Sequence, residues 1–336
     1  MQPAVIINAK DQSRFEQLPE DTILRAALRA GVGLSYECNS GGCGACKFEL
    51  VDGDIETLWE QAPGLSERDR KRGRHLACQC RALGQVTIKA PSAAEYVPQR
   101  KPQRQSAMLT GISDITHDIR EFRFQSNGEA NFLAGQYALL DLPNLDSPRA
   151  YSMSNIGNEQ NEWHFQIRRV ANGKGTRVLF DELKIGDVIG LDGAYGLGYL
   201  RDTPRDLVCI AGGSGLAPMV SIARGAAQAG MLKDRHLHFF YGARTAKDVC
   251  GQSFLAPLEG FDTNIHYHPV VSDNSSGDWS GATGFVHQYM AQALPEALAS
   301  FEFYFAGPPP MTQALQEMLM LEHKVPFEQI HFDRFF

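Results

Sequence analysis

No stretch of this 336-residue sequence approaches the roughly 18 uninterrupted apolar residues that a membrane span needs. The most apolar segment, Leu207 to Ala223, is broken by Gly212, Gly213 and Gly215. Basic charge is not in excess either. Lys plus Arg total 32 against 39 for Asp plus Glu, which leaves a net charge of −7 and excludes the basic footprint of a nucleic-acid binder. The first residues, MQPAVIINAKDQSRFEQ, lack the basic start, apolar core and small-residue cleavage site of a secretory leader, so a cytoplasmic location is expected. With 43% apolar and 21% charged residues, wholesale disorder is excluded. Cysteine is nearly missing from most of the chain: five of the seven lie before residue 81, and only Cys209 and Cys250 follow. In a reducing compartment such a cluster indicates metal or redox chemistry rather than structural disulfides.

The length suggests two to three domains at about 150 residues each. The pattern along the chain divides it at 1–91, which holds the cysteines, a linker at 92–103, and regions at 104–202 and 203–336. The segment VPQRKPQRQ carries Pro, Gln and basic residues without apolar periodicity, as a linker does. AMLTGIS, IREFRFQ, GQYALLDLP and EWHFQIRRV are short strand-like runs separated by turn residues, which suits an antiparallel β-barrel. Beyond residue 203 the strands LVCIAGG, HLHFFYGAR and FEFYFAG alternate with the helical segments APMVSIARGAAQAGM and PMTQALQEMLMLEHK. Alternation of this kind implies a Rossmann-like α/β parallel sheet.

Cys38, Cys43 and Cys46 in YECNSGGCGACK give C-x4-C-x2-C, with LACQC further on. This is the plant-type spacing for a [2Fe–2S] cluster on four thiolates. The small residues between the cysteines let the backbone wrap the cluster closely. Structural zinc prefers paired C-x2-C knuckles, which the x4 spacing does not provide. Spacing alone leaves Cys78 and Cys80 both open as the fourth ligand. Cys209 lies in an apolar strand and reads as a buried small hydrophobe. In the last region Gly212, Gly213, Ser214 and Gly215 sit between a strand and a helix, with Pro218 in the first turn. Such a turn lets a phosphate approach the backbone and the helix start. Gly173, Lys174, Gly175 and Thr176 form a second candidate anion turn. The His236/His238 and His266/His268 pairs sit at strand spacing, but no third metal ligand accompanies them. The run ERDRKRGR, from Glu67 to Arg74, is either a solvated helix face or a patch for an acidic partner.

Taken together, YECNSGGCGACK, LACQC and the terminal VPFEQIHFDRFF resemble the reductase component of bacterial multicomponent oxygenases, the toluene/xylene monooxygenase subgroup most of all. The resemblance covers essentially the full length. It implies a ferredoxin (β-grasp) domain, an FAD-binding barrel and an NAD-binding domain, and it selects Cys78 as the fourth cluster ligand. It also marks Arg149, Tyr151 and Ser152, in SPRAYSMSN, as the flavin site. Arg149 would pair with the pyrophosphate, Tyr151 would face the isoalloxazine, and Ser152 would hydrogen-bond near N5, which makes Tyr151 and Ser152 the catalytic candidates. Gly173 to Thr176 match the family's phosphate turn, and a terminal aromatic, Phe335 or Phe336, would cover the other flavin face. Ala306, with Gly307 and Pro308, stands where the family usually has a cysteine near the nicotinamide. No acid ends the strand HLHFFYGAR; Arg244 stands there and is compatible with a 2′-phosphate or with stacking on adenine. The resemblance favours NADH.

The expected activity is electron transfer from NADH through FAD and the [2Fe–2S] cluster to a Rieske ferredoxin or a di-iron hydroxylase of an aromatic monooxygenase, by a monomeric chain. A reductase for a Rieske ring-hydroxylating dioxygenase or a phenol hydroxylase is the alternative within the class. A zinc-stabilised, nucleotide-sensing interaction protein is the alternative outside it.

Overall fold

The computed structural model describes residues 3–294 and 296–335. The N-terminal unit is a mixed five-stranded sheet in the order β2-β1-β7-β3-β5. Its strands are β1 (Ala4–Asn8), β2 (Arg14–Gln17), β3 (Lys47–Asp52), β5 (Arg74–Leu76) and β7 (Val86–Lys89), with a separate ribbon of β4 (Ile55–Thr57) and β6 (Cys80–Ala82). Helix α1 (Ile23–Arg29) starts where Thr22 caps the backbone N–H of Arg25, and it buries Ile23, Leu24, Ala26, Ala27 and Leu28 in the core of this unit. Helix α2 (Glu67–Lys71) is held by a capping box between Ser66 and Asp69. The two outer cysteine-bearing segments therefore hang on a small, densely packed β-grasp frame.

The second unit is a six-stranded antiparallel sheet. It contains β8 (Gln103–Asp114), β9 (Ile119–Ser126), β10 (Tyr137–Asp141), β11 (Arg149–Ser152), β12 (Glu162–Arg168) and β13 (Val188–Tyr195), in the order β11-β10-β13-β8-β9-β12. A bridge between Met153 and Phe165 joins the two edges and closes the barrel over Phe122, Phe124, Trp163 and Phe165. Strand β13 was not among the expected strands, because Gly190 and Gly193 read locally as turn signals. Its Leu191 and Tyr195 are nevertheless fully buried. Helix α3 (Lys174–Arg177) follows β12. The presumed linker is only partly loose: Val97 packs so tightly on Gly33 that a Cβ there would meet its N at 2.8 Å, and Gln103 already belongs to β8.

The third unit is a six-stranded sheet, parallel throughout. Its strands are β14 (Leu207–Gly212), β15 (Leu237–Ala243), β16 (Ile265–Val271), β17 (Ala282–Thr283), β18 (Glu302–Gly307) and β19 (Ile330–Arg334), in the order β17-β16-β15-β14-β18-β19. The helices α4 (Leu216–Gln228), α5 (Gln252–Leu255), α6 (Val286–Ala293) and α7 (Pro309–Gln316) cover its faces. Alternate residues of β14 feed two separate cores: Leu207, Cys209 and Ala211 join that of α4, and Val208 and Ile210 join the other. Strand order reverses at β14, which pairs with β15 on one side and β18 on the other. Ligands of open parallel sheets bind outside the carboxyl ends of strands at such a switch point. No helix among the described residues is long and apolar enough to cross a membrane.

Candidate functional site

The loop from Cys38 to Cys46 is shaped by left-handed backbone at Asn39, Gly41 and Gly44. Gly44 lies so close to the segment after β4 that a Cβ on it would meet the Gly64 carbonyl at 2.4 Å. The backbone N–H of Cys43 donates to Cys38 Sγ at 3.3 Å, and that of Ala45 donates to Cys43 Sγ at 3.4 Å. The sulfurs come together as two pairs. Hydrogen bonding from Cys43 draws the Cys38 thiol down to about 5, while hydrogen bonding to Cys78 and burial push Cys46 well above its ordinary range. Among the described residues, the side chains that place three metal-ligand atoms within 4.8 Å of one another are His117, Asp118 and Asp248, and no trio of cysteines does so. Four thiolates on a single tetrahedral zinc would lie about 3.8 Å apart, given Zn–S bonds near 2.3 Å. Two pairs suit two irons instead, and the donor set fits a [2Fe–2S] cluster. Cys80 stands outside both pairs: it faces Thr57 Oγ1 at 3.9 Å, and burial pushes its thiol up to about 12.

The flavin motif lies on β11, and the second turn is brought directly against it. A Cβ on Gly175 would sit 3.0 Å from Arg149 Cγ and 3.0 Å from the Tyr151 hydroxyl. Only glycine leaves this cradle open. Burial pushes the Tyr151 phenol up to about 12, so it stays neutral. Lys174, Gly175 and Thr176 form the first turn of α3, whose N–H groups have no intrahelical acceptor. Thr176 Oγ1 is spent inside the turn, donating to Gly173 O at 3.2 Å, so its side chain serves the loop rather than a phosphate. A cavity of about 380 Å³ opens beside this turn, lined by Arg169, Lys174 and Arg177 among others. Arg169 pairs with Asp181 and Arg177 with Glu182. Phe335 packs against the core of the third unit, and Phe336 lies outside the described residues.

At the end of β14, Gly213 takes φ +57° and Gly215 presses on β18 so closely that a Cβ would meet the Ala306 carbonyl at 2.0 Å. Ser214 lies between them, and Leu216, Ala217 and Pro218 open α4. Gly212 is also close-packed, since a Cβ there would meet Met311 Sδ at 2.7 Å and Pro308 Cδ at 3.2 Å. The structure thus unites Gly212–Pro218 with Ala306, Gly307 and Pro308. Arg244 sits apart, exposed at the end of β15. Beside it lies a carboxylate that sequence reading passed over: the backbone N–H of Asp273, just after β16, donates to Arg244 O at 2.8 Å. The hydrogen bond from Ser275, with help from Arg244, holds this carboxyl below its ordinary value.

Sequence reading also missed what joins the stations. Tyr137 is the cross-strand partner of Ser152, and its hydroxyl donates to the Glu37 carbonyl at 2.8 Å, one residue from Cys38. The Gly196 N–H donates to Tyr36 Oη at 3.2 Å. Arg334, on β19, grips the Glu37 carboxylate through Nε and Nη2, both at 2.8 Å. Further along the same seam, Arg29 bridges Asp21 at 2.9 Å and Asp192 of β13 at 2.7 Å.

Residues 5–83 match the family described as 2Fe-2S iron-sulfur cluster binding domain, 106–199 the oxidoreductase FAD-binding domain, and 209–317 the oxidoreductase NAD-binding domain. The chain is 41% identical to the ferredoxin–NAD(P)+ reductase CarAd of Metapseudomonas resinovorans over 94% of each chain. It is 29% identical to the xylene/toluene monooxygenase electron transfer component XylA of Pseudomonas putida, over 99% of this chain and 94% of that one. A solved structure of the ferredoxin reductase in carbazole 1,9a-dioxygenase superposes with a TM-score of 0.91 at 37% identity, covering 100% of this chain and 99% of that one. With three matching domains in one polypeptide and this likeness over its whole length, the chain belongs to the ferredoxin–NAD(P)+ reductases, the flavo-iron–sulfur electron-transfer components of aromatic oxygenase systems.

Proposed function

We propose that this chain takes electrons from NADH and delivers them one at a time to the carrier of an aromatic oxygenase system. The carrier is a Rieske ferredoxin or the hydroxylase itself. The observation that carries this reading is the contact between Ser152, Tyr137, the Glu37 carbonyl and Cys38, which sets the flavin motif against the cluster loop. When bound, the flavin accepts a hydride and releases single electrons, and the cluster carries them singly. Cys38 and Cys43 would hold one iron, and Cys46 and Cys78 the other. Arg149 and the first-turn amides of α3 would bind the pyrophosphate, with Tyr151 beside the ring and Ser152 at its reacting edge. Gly212–Gly215 would take the nucleotide phosphates, and Ala306–Pro308 would shape the nicotinamide pocket without a thiol. Seams built from Tyr36, Tyr137 and Arg334 exclude water from the path between the two cofactors.

The nucleotide preference follows from Asp273. An ionised carboxylate beside Arg244 repels a 2′-phosphate and suits a ribose hydroxyl, which favours NADH. Anaerobic mixing of the reconstituted protein with NADH should bleach the flavin bands first and the iron–sulfur bands second. NADPH should do so with kcat/KM lower by about tenfold or more, and Asp273→Ala should narrow that gap. A protein that lacks these bands after reconstitution, or keeps them with NADH, overturns the reading. The partner oxygenase is a finer matter. XylA supports a toluene/xylene-type monooxygenase, but the identity to the ferredoxin reductase in carbazole 1,9a-dioxygenase is higher, which supports a dioxygenase partner at least as well. Reconstitution with each ferredoxin and hydroxylase, following NADH-driven product formation, separates them.

A further inference from the structure

The cluster loop has a second, outward flank, where Gly44 abuts Gly64, that the seam to the barrel and β19 leaves uncovered. The Trp59 indole lies over Gly41: a Cβ there would meet Trp59 Cε3 at 3.1 Å and Gln79 Cγ at 3.2 Å. Gln79 in turn donates to Cys78 Sγ at 3.7 Å, and its carbonyl accepts from the Leu58 N–H at 2.8 Å. One short segment therefore touches both cysteine-bearing loops from outside. Its apolar side chains are uncovered, with Leu58 42% and Trp59 45% exposed. Past the Gly64 turn, α2 and the residues that lead from it into β5 extend this surface with five cations, Arg68, Arg70, Lys71, Arg72 and Arg74. Two of them are committed: Arg70 donates to the Glu60 and Ala62 carbonyls, and Arg74 pairs with Asp69 and Glu49. Nearby Lys47 is likewise tied to Asp69. The other three, Arg68, Lys71 and Arg72, are exposed and have no carboxylate partner among the described residues. The exposed acids around the same patch are Glu49, which Arg74 pairs, Glu60 and Glu67, so its balance against five cations stays positive within a chain of net charge −7.

We propose that the Leu58–Trp59 patch with Arg68, Lys71 and Arg72 is the docking surface for an acidic one-electron carrier protein. This rests on the reductase reading and adds the place and sign of the contact. The flank formed by Tyr36 and Glu37 is closed by the barrel and β19, so a carrier can approach the loop only where it reaches solvent, and Gly42 to Ala45 are partly exposed there. Uncommitted cations steer an acidic partner, while the apolar centre gives short-range contact. At the patch one electron leaves the reduced cluster, which is oxidised by one, and the carrier is reduced by one. No bond or proton changes hands.

The test uses the full-length holoprotein with cytochrome b5 as the acidic probe and cytochrome c as the basic one. Binding of each oxidised haem protein is followed by calorimetry at about 20 mM ionic strength, where charges are weakly screened. The triple variant R68E/K71E/R72E should bind cytochrome b5 about tenfold more weakly or worse and cytochrome c no more weakly, and the difference should shrink at about 0.3 M salt. Trp59→Ala should weaken cytochrome b5 binding several-fold at both salt concentrations. Bleaching of the flavin bands by NADH should be unchanged in the triple variant, which separates this proposal from the reductase reading. Unaltered cytochrome b5 affinity in the triple variant, with flavin and cluster spectra intact, overturns it.

Discussion

The two flanks of the cluster loop are built from opposite materials. On the inward flank Tyr36 and Glu37 meet Gly196, Tyr137 and Arg334 through short hydrogen bonds and a bidentate ion pair. On the outward flank Gly41 and Gly44 meet a half-exposed tryptophan and a glycine turn, and exposed cations without carboxylate partners follow along α2. The first arrangement fixes a distance and keeps water out. The second leaves charge and apolar area available to something that comes and goes. A permanent transfer inside one chain and a transient transfer between proteins place different demands on a surface, and this loop meets one on each side.

The comparison breaks most completely if the cluster is lost. Cys78→Ser should abolish the iron–sulfur absorption, because it breaks the Cys46/Cys78 pair, whereas Cys80→Ser should keep the spectrum and shift it only slightly. Equal loss in both variants would reassign the fourth ligand. Next in size are the glycines beneath the outward flank. Gly44→Ala places a Cβ 2.4 Å from a backbone carbonyl at φ +77° and should cost several kcal/mol of loop stability, about 3 or more. Gly41→Ala, at φ +89°, meets a movable indole and a glutamine at 3.1 and 3.2 Å and should cost less. Urea midpoints and iron content of the two purified variants rank them.

Much of this was legible along the chain. The cysteine spacing, the strand-to-helix glycine turn and the alternation after residue 203 are local signals, and each lies where local geometry must be met. Strand β13 was hidden because its glycines are chosen for close packing on β10, where a Cβ on Gly193 would meet Ala138 at 2.9 Å. Strand β19 was hidden because HFDR looks like a polar tail, yet Ile330 and Phe332 pack in the core while Arg334 reaches Glu37. The seam between stations was not legible at all. Tyr137 and Glu37 are 100 residues apart, and Arg334 and Glu37 are 297 apart, so no periodicity links them. Asp273 was missed for a related reason: it supplies its carboxylate from the neighbouring strand, not from the end of β15.

Asp333 sharpens the inward flank by pH. Burial, and then the charge of Glu37, push its carboxyl up to about 7, against 3.8 ordinarily. Between these values the folded chain binds more protons than the unfolded one, so this group's contribution favours folding below about pH 4 and is lost as pH rises through about 7. Asp333→Asn should therefore leave the urea midpoint unchanged near pH 4 and raise it at pH 8. A midpoint difference that does not grow with pH would place Asp333 in contact with solvent rather than in the seam.

Arg334→Ala is the mildest test, and the one that separates fixation from docking. The Arg334–Glu37 pair is partly exposed, at 33% and 22%, so screening discounts it and its loss should cost about 1 to 2 kcal/mol. Hydrogen bonding to Glu37 holds the guanidinium further into its charged form, which makes the pairing mutual. Without it the Glu37 carboxylate loses this ion pair while the Tyr137 and Gly196 bonds still hold the backbone carbonyl of Glu37 and the Tyr36 hydroxyl, and the loop gains freedom on its inward side alone. Hydride arrival at the flavin uses none of these residues, so the first bleaching phase should keep its rate. The second phase, in which the cluster is reduced, should slow, and Tyr137→Phe should slow it further when combined. Binding of an external carrier should not change, because Trp59 and α2 stand on the other flank. If Arg334→Ala weakened carrier binding as much as cluster reduction, the two flanks would be one surface, and the division of labour between them would fail.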